Sequence, residues 1–338
     1  MADSAGTGRR DRGRPATIAA VASRAGVSIA TVSRVVSGRG PVREATRLRV
    51  EQAIAATGWA ADPAARQLAS GTGDEVVLAV AVADHCEFAE DPYYARVVAG
   101  AYEEAARHDL RLSVHVALTG SLAGLAPFRT RRYIGAILVN ADAKEATFAG
   151  AQRRPLVSMG ITAPMVPSVE PENGAGASSA VEHLLRQGRR RITTIAGPMR
   201  NPCAVERLAG YRSSVHAAGL VDVGLSADFT RATAAEAARH LLGIRPDLDA
   251  VFVASDLMAT AVLQVLLASG RRVPDDVAVV GFDDSPPARM TTPVLSTVHQ
   301  PVEELASLAV RTLTAPVGTC PLEQRLPTRL VVRASSAA

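Results

Sequence analysis

The stretch TIAAVASRAGVSIATVSRVV, residues 17–36, determines how the N-terminal part of this 338-residue chain folds. Thr17 can cap a short helix, and Gly26 suits the left-handed conformation that a turn after this helix requires. Ser28 can cap a second short helix that begins at Ile29. Two short helices joined by a turn that contains glycine predict a helix-turn-helix.

The second helix of this motif is the part expected to read DNA, since its N-terminal residues enter the major groove. The side chains predicted to face base edges are those of Ile29, Ala30, Ser33 and Arg34. Arg34 can bond a guanine edge through two donors, which discriminates against other bases by about 1–3 kcal/mol. Ile29 and Ala30 can read only a thymine methyl group or the shape of the groove. Phosphate contacts are expected from the hydroxyl side chains near the helix starts, Thr17, Ser28 and Thr31.

Positive charge is concentrated in the same part of the chain. Residues 1–73 hold eleven arginines and five acids, a net charge of +6, so the remaining residues carry −2 of the total of +4. A basic head on a slightly acidic body is typical of a phosphate-binding module joined to a separate domain. We expect a disordered basic tail at 1–15 and a helix-turn-helix domain at 16–60. From spacing alone, a three-helix bundle without a DNA-binding role remains an alternative.

Composition limits where the protein works and what it can hold. Hydrophobic residues make up 48% of the chain, which is enough for a large core. The first residues contain no apolar segment of a signal peptide, and no run approaches the length of a membrane span. We therefore expect a cytoplasmic protein without a membrane partner. Cys86, Cys203 and Cys320 fit neither a metal motif nor a disulfide framework, so we predict no metal and no cofactor.

After Glu75, apolar strand-like segments alternate with amphipathic helices. Strands are predicted at 76–82, 110–116, 134–139, 191–196, 250–254 and 276–282. Helices are predicted near 94–108, 175–187, 204–218, 232–242 and 257–268. Fully apolar strands separated by helices indicate parallel sheets that are covered on both faces. The predicted fold class is therefore an all-α head followed by an α/β core of two doubly wound lobes.

Two segments give the chain a specific likeness to a known family. The core VS-x-x-TVSRV at 27–35 and the later D-P-A-A-R-x-L-A at 62–69 resemble the head and hinge of the LacI/GalR transcriptional regulators. The resemblance implies a homodimer that binds a pseudo-palindromic DNA operator, with a hinge helix and linker at 61–73. Leu68 occupies the position of the family's intercalating leucine, and Ala65 the small position where paired hinge helices approach each other.

The chemistry of the hinge agrees with this assignment. Asp62 can cap a short helix and Pro63 fits its first turn, while a leucine such as Leu68 can wedge into a base step and bend the duplex. The family usually has Asn where Asp62 stands, and both residues can cap. It often has Ser or Thr where Arg43 stands, so the third helix is expected to lack a side-chain cap and to gain a charge at its start. Trp59 is expected to pack between head and hinge.

The rest of the chain, 75–335, resembles the periplasmic-binding-protein-like core of the same family. The clearest segments are GAGASSAVEHLLRQGRRRITTIAGP at 174–198 and RRVPDDVAVVGFDDSP at 271–286. The lobes implied are an N-terminal lobe of 74–171 plus 298–322 and a C-terminal lobe of 172–297 plus 323–335. A cleft between them would bind a small-molecule effector at the carboxyl ends of the strands. Family tendency favours a sugar or a related polyol.

The side chains predicted to line this cleft are Tyr93, Tyr94, Asn140, Arg207, Phe229, Ser255, Asp283 and Gln300. The resemblance assigns Arg207 and Asp283 as the ligand-binding arginine and aspartate, a pair that can donate to and accept from neighbouring hydroxyl groups. The two tyrosines and Phe229 are similar to aromatic positions of the family and would contact the face of a sugar or base. Each of these residues also has an ordinary interpretation as a core, capping, turn or surface residue.

Two departures from the family concern the ligand. Where many members read V-D-N, this chain reads Glu170-Pro171-Glu172-Asn173, and the loop from Asp84 to Asp91 is longer and more acidic than usual. These differences leave the predicted fold unchanged. They leave the identity of the ligand open, as well as the question whether it weakens or strengthens DNA binding.

Two other classes of protein fit only part of the chain. A solute-binding protein without a DNA role fits 75–335 but not the basic head. An enzyme with a doubly wound fold would need a catalytic set, yet the sequence contains no Walker loop, no G-x-S-x-G, no H-E-x-x-H and no carboxylate pair at a spacing typical of acid–base catalysis. We therefore predict a transcriptional regulator of the repressor type without enzymatic activity.

Overall fold

The computed structural model describes residues 17–37, 41–59, 74–124, 128, 133–150, 154–160, 163, 165–316 and 318–337. The chain divides into two units between Gly73 and Asp74. The predicted tail at 1–15 and the predicted hinge at 61–73, which includes Ala65 and Leu68, lie outside the described residues.

The helices described in the first unit are α1 (Ile18–Ala25), α2 (Ile29–Ser37) and α3 (Glu44–Thr57). Thr17 caps α1 by accepting a hydrogen bond from the Ala20 amide, and Gly26 ends the helix with a φ of 65°. The first two helices meet at 102°, within the range of roughly 90–120° for a helix-turn-helix. Val21 and Val32 are fully buried in the apolar cluster that holds these helices together.

The ends of α3 follow the sequence-based expectation. Arg43 stands at the N-cap position and its side chain makes no capping hydrogen bond, whereas Gly58 closes the helix with a φ of 62°. The third helix therefore begins without the side-chain cap that Ser or Thr would supply. Trp59 is half-buried and packs against the apolar cluster of the head, which confirms its predicted packing role.

The second unit is built on two six-stranded sheets. Its strands are β1 (Glu75–Val82), β2 (Arg111–Leu118), β3 (Gly135–Val139), β4 (Leu156–Met159), β5 (Ser168–Pro171), β6 (Ile192–Ala196), β7 (Val223–Ser226), β8 (Ala250–Val253), β9 (Ala278–Asp283), β10 (Ser296–His299), β11 (Glu323–Leu326) and β12 (Arg329–Val331). Its described α-helices are α4 (His85–Glu90), α5 (Pro92–Arg107), α6 (Ala143–Gly150), α7 (Asn173–Arg186), α8 (Pro202–Ala217), α9 (Arg231–Ile244), α10 (Asp256–Ala268) and α11 (Val302–Thr314). Among the described residues, no single helix is long and apolar enough to cross a membrane; only α1 and α2 taken together, across their sharp bend, reach that length and composition.

The strand order is β11-β5-β4-β3-β1-β2 in the first sheet and β12-β10-β9-β8-β6-β7 in the second. Neighbouring strands are parallel throughout, except that β12 runs antiparallel to β10. The predicted strands and helices are all present, with ends that differ by at most two residues. The doubly wound α/β core with two lobes is thereby confirmed.

Helices cover both faces of each sheet. In the N-terminal lobe, α5 and α11 pack on one face and α6 on the other. In the C-terminal lobe, α7 and α8 pack on one face and α9 and α10 on the other. Strands buried on both faces have nearly continuous apolar sequences, which is why the central strands were predictable.

The described residues contain three crossings between the lobes, and two of them correct the predicted lobe boundaries. The first crossing follows Pro171, the last residue of β5, as predicted. β10 continues to His299 in the second sheet, so the second crossing falls at Gln300 rather than at 298. β11 was assigned to the C-terminal lobe, but it pairs in parallel with β5 in the first sheet. Its sequence, EQRL, has no apolar pattern, so backbone pairing with β5 decides its place.

Candidate functional site

The start of α2 presents the side chains predicted to contact DNA. Thr17, Ser28, Ile29, Ala30 and Arg34 are exposed, and Thr31 and Ser33 are half-buried. Ile29 is 51% exposed whereas Val32 is fully buried, so one face of the helix joins the head core and the other faces solvent. Ser28 caps the helix, because its hydroxyl oxygen accepts a hydrogen bond from the Thr31 amide at 3.2 Å.

The described part of the head carries exposed positive charge on all three of its helices or next to them. The exposed arginines are Arg24, Arg34, Arg43, Arg47 and Arg49. Arginines of this kind supply the sequence-independent attraction for DNA phosphates, while base contacts supply specificity. The first unit thus combines a reading helix with the charge that a DNA-binding surface needs.

A cavity lies between the two lobes of the second unit, with about 710 Å³ of empty space when the adjoining open solvent is included. The predicted residues that line it are Tyr93, Tyr94, Asn140, Arg207, Phe229, Ser255, Asp283 and Gln300, which is the complete predicted set. They come together because the carboxyl ends of parallel strands, and the helix starts that follow them, meet at one edge of each sheet.

Arg207 and Asp283 form the polar centre of the cavity. Nη1 of Arg207 lies 3.5 Å from Oδ1 of Asp283 and donates to the carbonyl oxygen of Ala254 at 2.7 Å. Nε of Arg207 donates to Oδ1 of Asn173 at 2.9 Å. The guanidinium lies over the ring of Phe282, 3.7 Å from its centroid, in a cation–π contact. Arg207 is therefore held in one orientation before any ligand binds.

The carboxylate of Asp283 is also held from other directions. Nε2 of Gln300 donates to Oδ1 at 2.5 Å and the amide of Asp256 donates to Oδ2 at 3.3 Å. Asp283 has a φ of 124°, and two other residues of the cavity wall, Asn140 and Phe229, have φ values of 54° and 68°. Non-glycine residues in such conformations cost about 1–3 kcal/mol and cluster at functional sites. Here they aim three predicted side chains at one cavity.

Tyr94 is a core residue as well as part of the cavity wall. Its side chain is nearly fully buried, and its hydroxyl donates to Oε1 of Glu87 at 2.6 Å and accepts from Nδ2 of Asn140 at 2.9 Å. The second oxygen of Glu87 accepts from the Ala83 amide at 2.7 Å. Tyr93 packs edge-on against Tyr94, with ring centroids 5.6 Å apart. Tyr94 therefore holds Asn140 and Glu87 in place at the wall.

The cavity is acidic. Among the described residues that line it, the charged side chains are Glu87, Asp91, Glu170, Asp283 and Arg207. Burial and the charge of Asp283 raise the pKa of Asp91 from 3.8 to about 7, although a hydrogen bond from the Tyr93 amide opposes this. Burial and the nearby Glu206 raise the pKa of Glu170 to about 7. These carboxyl groups can accept hydrogen bonds from a ligand and, where they are protonated, can also donate them.

A second cavity, of about 840 Å³, adjoins the first. The residues that line both are Glu87, Asn140, Met159, Gly160, Asn201 and Phe229. Beyond them the second cavity has polar walls that include Thr119, Asp142, Arg200 and Asp228. The shared walls make the two cavities one elongated cleft, with the ring of Phe229 at their junction.

Comparison with known proteins decides the family. Residues 17–62 match the model of bacterial regulatory proteins of the lacI family, and residues 181–336 match a periplasmic binding protein-like domain. The chain is 38% identical to the HTH-type transcriptional regulator CelR of Thermobifida fusca, over 96% of this chain and 99% of that protein. The chain belongs to the lacI family.

Solved structures of lacI-family proteins have the same architecture. One is a complex of the transcriptional regulator CelR with cellobiose, at a TM-score of 0.74 and 35% identity, which covers 96% of this chain and all of that one. Another is a lac repressor dimer bound to operator and the anti-inducer ONPF, at a TM-score of 0.81 and 27% identity, with 96% of this chain covered and all of that one. This chain is therefore a DNA-binding transcriptional regulator, as the sequence predicted.

Several residues of this lacI-family cleft were not predicted. They are Glu87, Asp91, Glu170, Asn173 and Cys203. Glu87 lies in the acidic segment after β1, which forms α4 with Asp84 as its N-cap, and Glu170 lies in the unusual E-P-E-N segment. Both segments differ from the family pattern, and that difference was the available signal. Asn173 ends the same E-P-E-N segment, and its role emerges from its hydrogen bond to Arg207.

Proposed function

We propose that this protein is a repressor whose affinity for a pseudo-palindromic operator is controlled by a carbohydrate, or a related polyol, bound between the lobes. The observation that carries this proposal is the pair of Arg207 and Asp283, 3.5 Å apart at the centre of the cavity. An arginine donates and an aspartate accepts, so together they can bind adjacent hydroxyl groups. The CelR structure that resembles this one holds cellobiose, which supports a sugar as the effector.

The shape of the cleft supports an effector longer than one sugar ring. An inner ring would lie beside Arg207 and Asp283, and a second ring would pass Phe229 into the outer cavity. There Arg200 could donate to its hydroxyl groups and Asp228 could accept from them. A two-ring sugar such as cellobiose is therefore the first candidate to test.

We propose that the DNA end of the molecule works as a homodimer, with one helix-turn-helix on each half-site. Arg34 of α2 reads a base edge, while the hinge at 61–73 places Leu68 in the minor groove as a wedge. So short a hinge helix is marginal without DNA, which makes it a suitable order–disorder switch. Effector binding would change its stability by a coupling free energy of about 1–3 kcal/mol. We place this regulator in the cytoplasm and assign it no catalytic role.

A binding assay on the DNA upstream of its own gene tests the proposal. Fluorescence anisotropy should show specific binding to a palindrome there, and this affinity should change on addition of cellobiose but much less on addition of glucose. The variant Arg34→Ala should lose specific binding and keep the thermal shift that cellobiose produces. Failure to bind any neighbouring palindrome at low or high salt would count decisively against a repressor.

A further inference from the structure

Arg96, on α5 of the N-terminal lobe, joins three separate parts of the core. Its Nε and Nη2 donate to the two carboxylate oxygens of Glu303, at the start of α11, over 2.7 and 2.8 Å. Its Nη1 donates to the backbone carbonyl of Asp283 at 3.0 Å, and its Nη2 donates to that of Gln300 at 3.2 Å. One guanidinium thus connects a helix of the N-terminal lobe, the end of β9 in the C-terminal lobe and the second crossing between them.

The two carbonyls belong to residues whose side chains face the cavity. Asp283 and Gln300 line it, and their side chains are hydrogen-bonded to each other at 2.5 Å. Asp283 also has a φ of 124°, a conformation that persists only where the surroundings maintain it. Arg96 binds the carbonyl of this strained residue from outside the cavity. Arg96 is therefore bonded to the backbone of both residues and would respond to a displacement of that backbone.

The attachment of Arg96 to the N-terminal lobe is firm. Its side chain is only 14% exposed. Burial opposes ionisation of Glu303, but the hydrogen bonds from Arg96 hold the pKa of this carboxyl below its usual range. Glu303 lies where α5 and α11 are in backbone contact, since a Cβ atom at Gly100 would come within 2.1 Å of the Glu303 carbonyl oxygen. Arg96 is therefore expected to move together with α5 and α11.

We propose that Arg96 is the positioning residue through which the N-terminal lobe responds to an occupied cavity. The inference rests on the proposed function, because it takes the ligand to bind at Asp283 and Gln300. A ligand that draws these residues inward moves their carbonyls, and Arg96 carries that displacement to α5 and α11. Only a planar fork with five donors can hold a carboxylate and two carbonyls at once, so a lysine in this place would keep the charge but lose the connection.

The first experiment needs no ligand. Hydrogen exchange is measured on the full-length wild type, on Arg96→Lys and Arg96→Met, and on Arg107→Lys as a control. Arg107 lies on the same helix, is 56% exposed, and pairs with Glu103 and with the buried Glu104, so it tests loss of an ion pair on α5 that does not involve Asp283 or Gln300. The amides of residues 281–285 and of Gln300, Val302 and Glu303 should exchange at least about ten times faster in both Arg96 variants and at the wild-type rate in the control. Unchanged exchange in both Arg96 variants would overturn the proposal.

The second experiment measures operator affinity with and without cellobiose. Arg96→Lys should bind the operator like the wild type in the absence of sugar, while the effect of cellobiose on this affinity should shrink at least about fivefold, a large part of a typical allosteric coupling. A full response in Arg96→Lys would contradict the positioning role. If the wild type binds its operator but does not respond to cellobiose, the proposed effector is wrong, and the hydrogen-exchange result alone decides the role of Arg96.

Discussion

Asp283 and Asp284, the two adjacent aspartates of the GFDD segment, have different roles. The carboxylate of Asp283 lies in the cavity opposite Arg207. That of Asp284 is turned away and accepts from Nδ1 of His299 at 3.1 Å, from Arg289 at 3.3 Å and from Arg333. Asp284 therefore ties the end of β9 to β10 and to the C-terminal segment, whereas Asp283 is available to a ligand.

This difference predicts opposite results for two matched substitutions. Asp283→Asn removes the charge facing Arg207, so cellobiose binding should weaken at least about tenfold, since hydrogen bonds to charged groups contribute about 1.5–3 kcal/mol. Operator binding without sugar should be retained. Asp284→Asn should instead lower the free energy of unfolding by about 1.5–3 kcal/mol and leave sugar affinity close to that of the wild type. Calorimetric titration and urea unfolding measure the two effects; equal losses of sugar affinity in both variants would refute the assignment.

The protonation of Asp91 predicts a dependence of stability on pH. Its pKa is raised from 3.8 to about 7 by burial and by Asp283. Between about pH 4 and 7 the folded protein holds a proton that the unfolded chain has released, so this group makes stability fall as pH rises through that window. Asp91→Asn cannot ionise and still offers an oxygen to the Tyr93 amide. In urea unfolding, the free energy of unfolding of this variant minus that of the wild type should therefore be more favourable at pH 8 than at pH 5. The same difference in free energy at both pH values would contradict this prediction.

Whether a cavity residue could be predicted from the sequence depends on its position relative to the strands. Asn140, Ser255 and Asp283 follow apolar strands directly, and a parallel sheet must bring such positions together. Arg96 stands in the second turn of α5 with the buried residues Tyr94 and Val97 close to it in the chain, and its partners are distant in the chain. No local pattern predicts a contact of that kind, so only the folded backbone reveals it.

Among the elements, the α5–α11 pair depends on the absence of a side chain at Gly100. A Cβ atom there would come within 2.1 Å of the carbonyl oxygen of Glu303. Gly100→Ala should therefore separate the helices and destabilise the protein by about 1–3 kcal/mol or more, as overpacking does. Gly243→Ala is the matched control, because Gly243 lies in α9 with open space at the Cβ position.

In that control, alanine should stabilise the protein by roughly 0.5–1 kcal/mol, since glycine is the poorer helix former. Thermal unfolding of both variants separates crowding from helix propensity. A Gly100→Ala variant as stable as the wild type would show that the helices can part without cost.

The elements also show where sequence-based prediction of the fold stops. Long strands with apolar side chains on both faces, such as β1 and β9, were found within two residues of their ends. β5 and β11 have four residues each and mixed polarity, so they lack the pattern that prediction needs. Their pairing in the first sheet is a property of the folded backbone, and it moved a lobe boundary.

For the molecule as a whole, the separation of charge predicts different salt responses for its two ligands. Residues 1–73 carry +6, and the remaining chain carries −2. If a dimer makes six to ten phosphate contacts, operator affinity should fall by about 10³–10⁵ between 50 and 200 mM salt. Binding of an uncharged sugar should change less than about twofold over the same range. Titrations of both ligands at several salt concentrations test this, and an operator affinity insensitive to salt would exclude the basic head as the DNA contact.

The late position of β11 and β12 has a consequence for synthesis on the ribosome. The head emerges first and has its own apolar cluster, so it can fold while most of the chain is still being translated. Each sheet of the core, by contrast, is incomplete until an edge strand encoded after residue 322 has been translated. A nonsense mutation just before Glu323 would thus leave the DNA-reading helices intact and both sheets incomplete. The truncated protein should not respond to the sugar, whereas its head should still be able to recognise DNA.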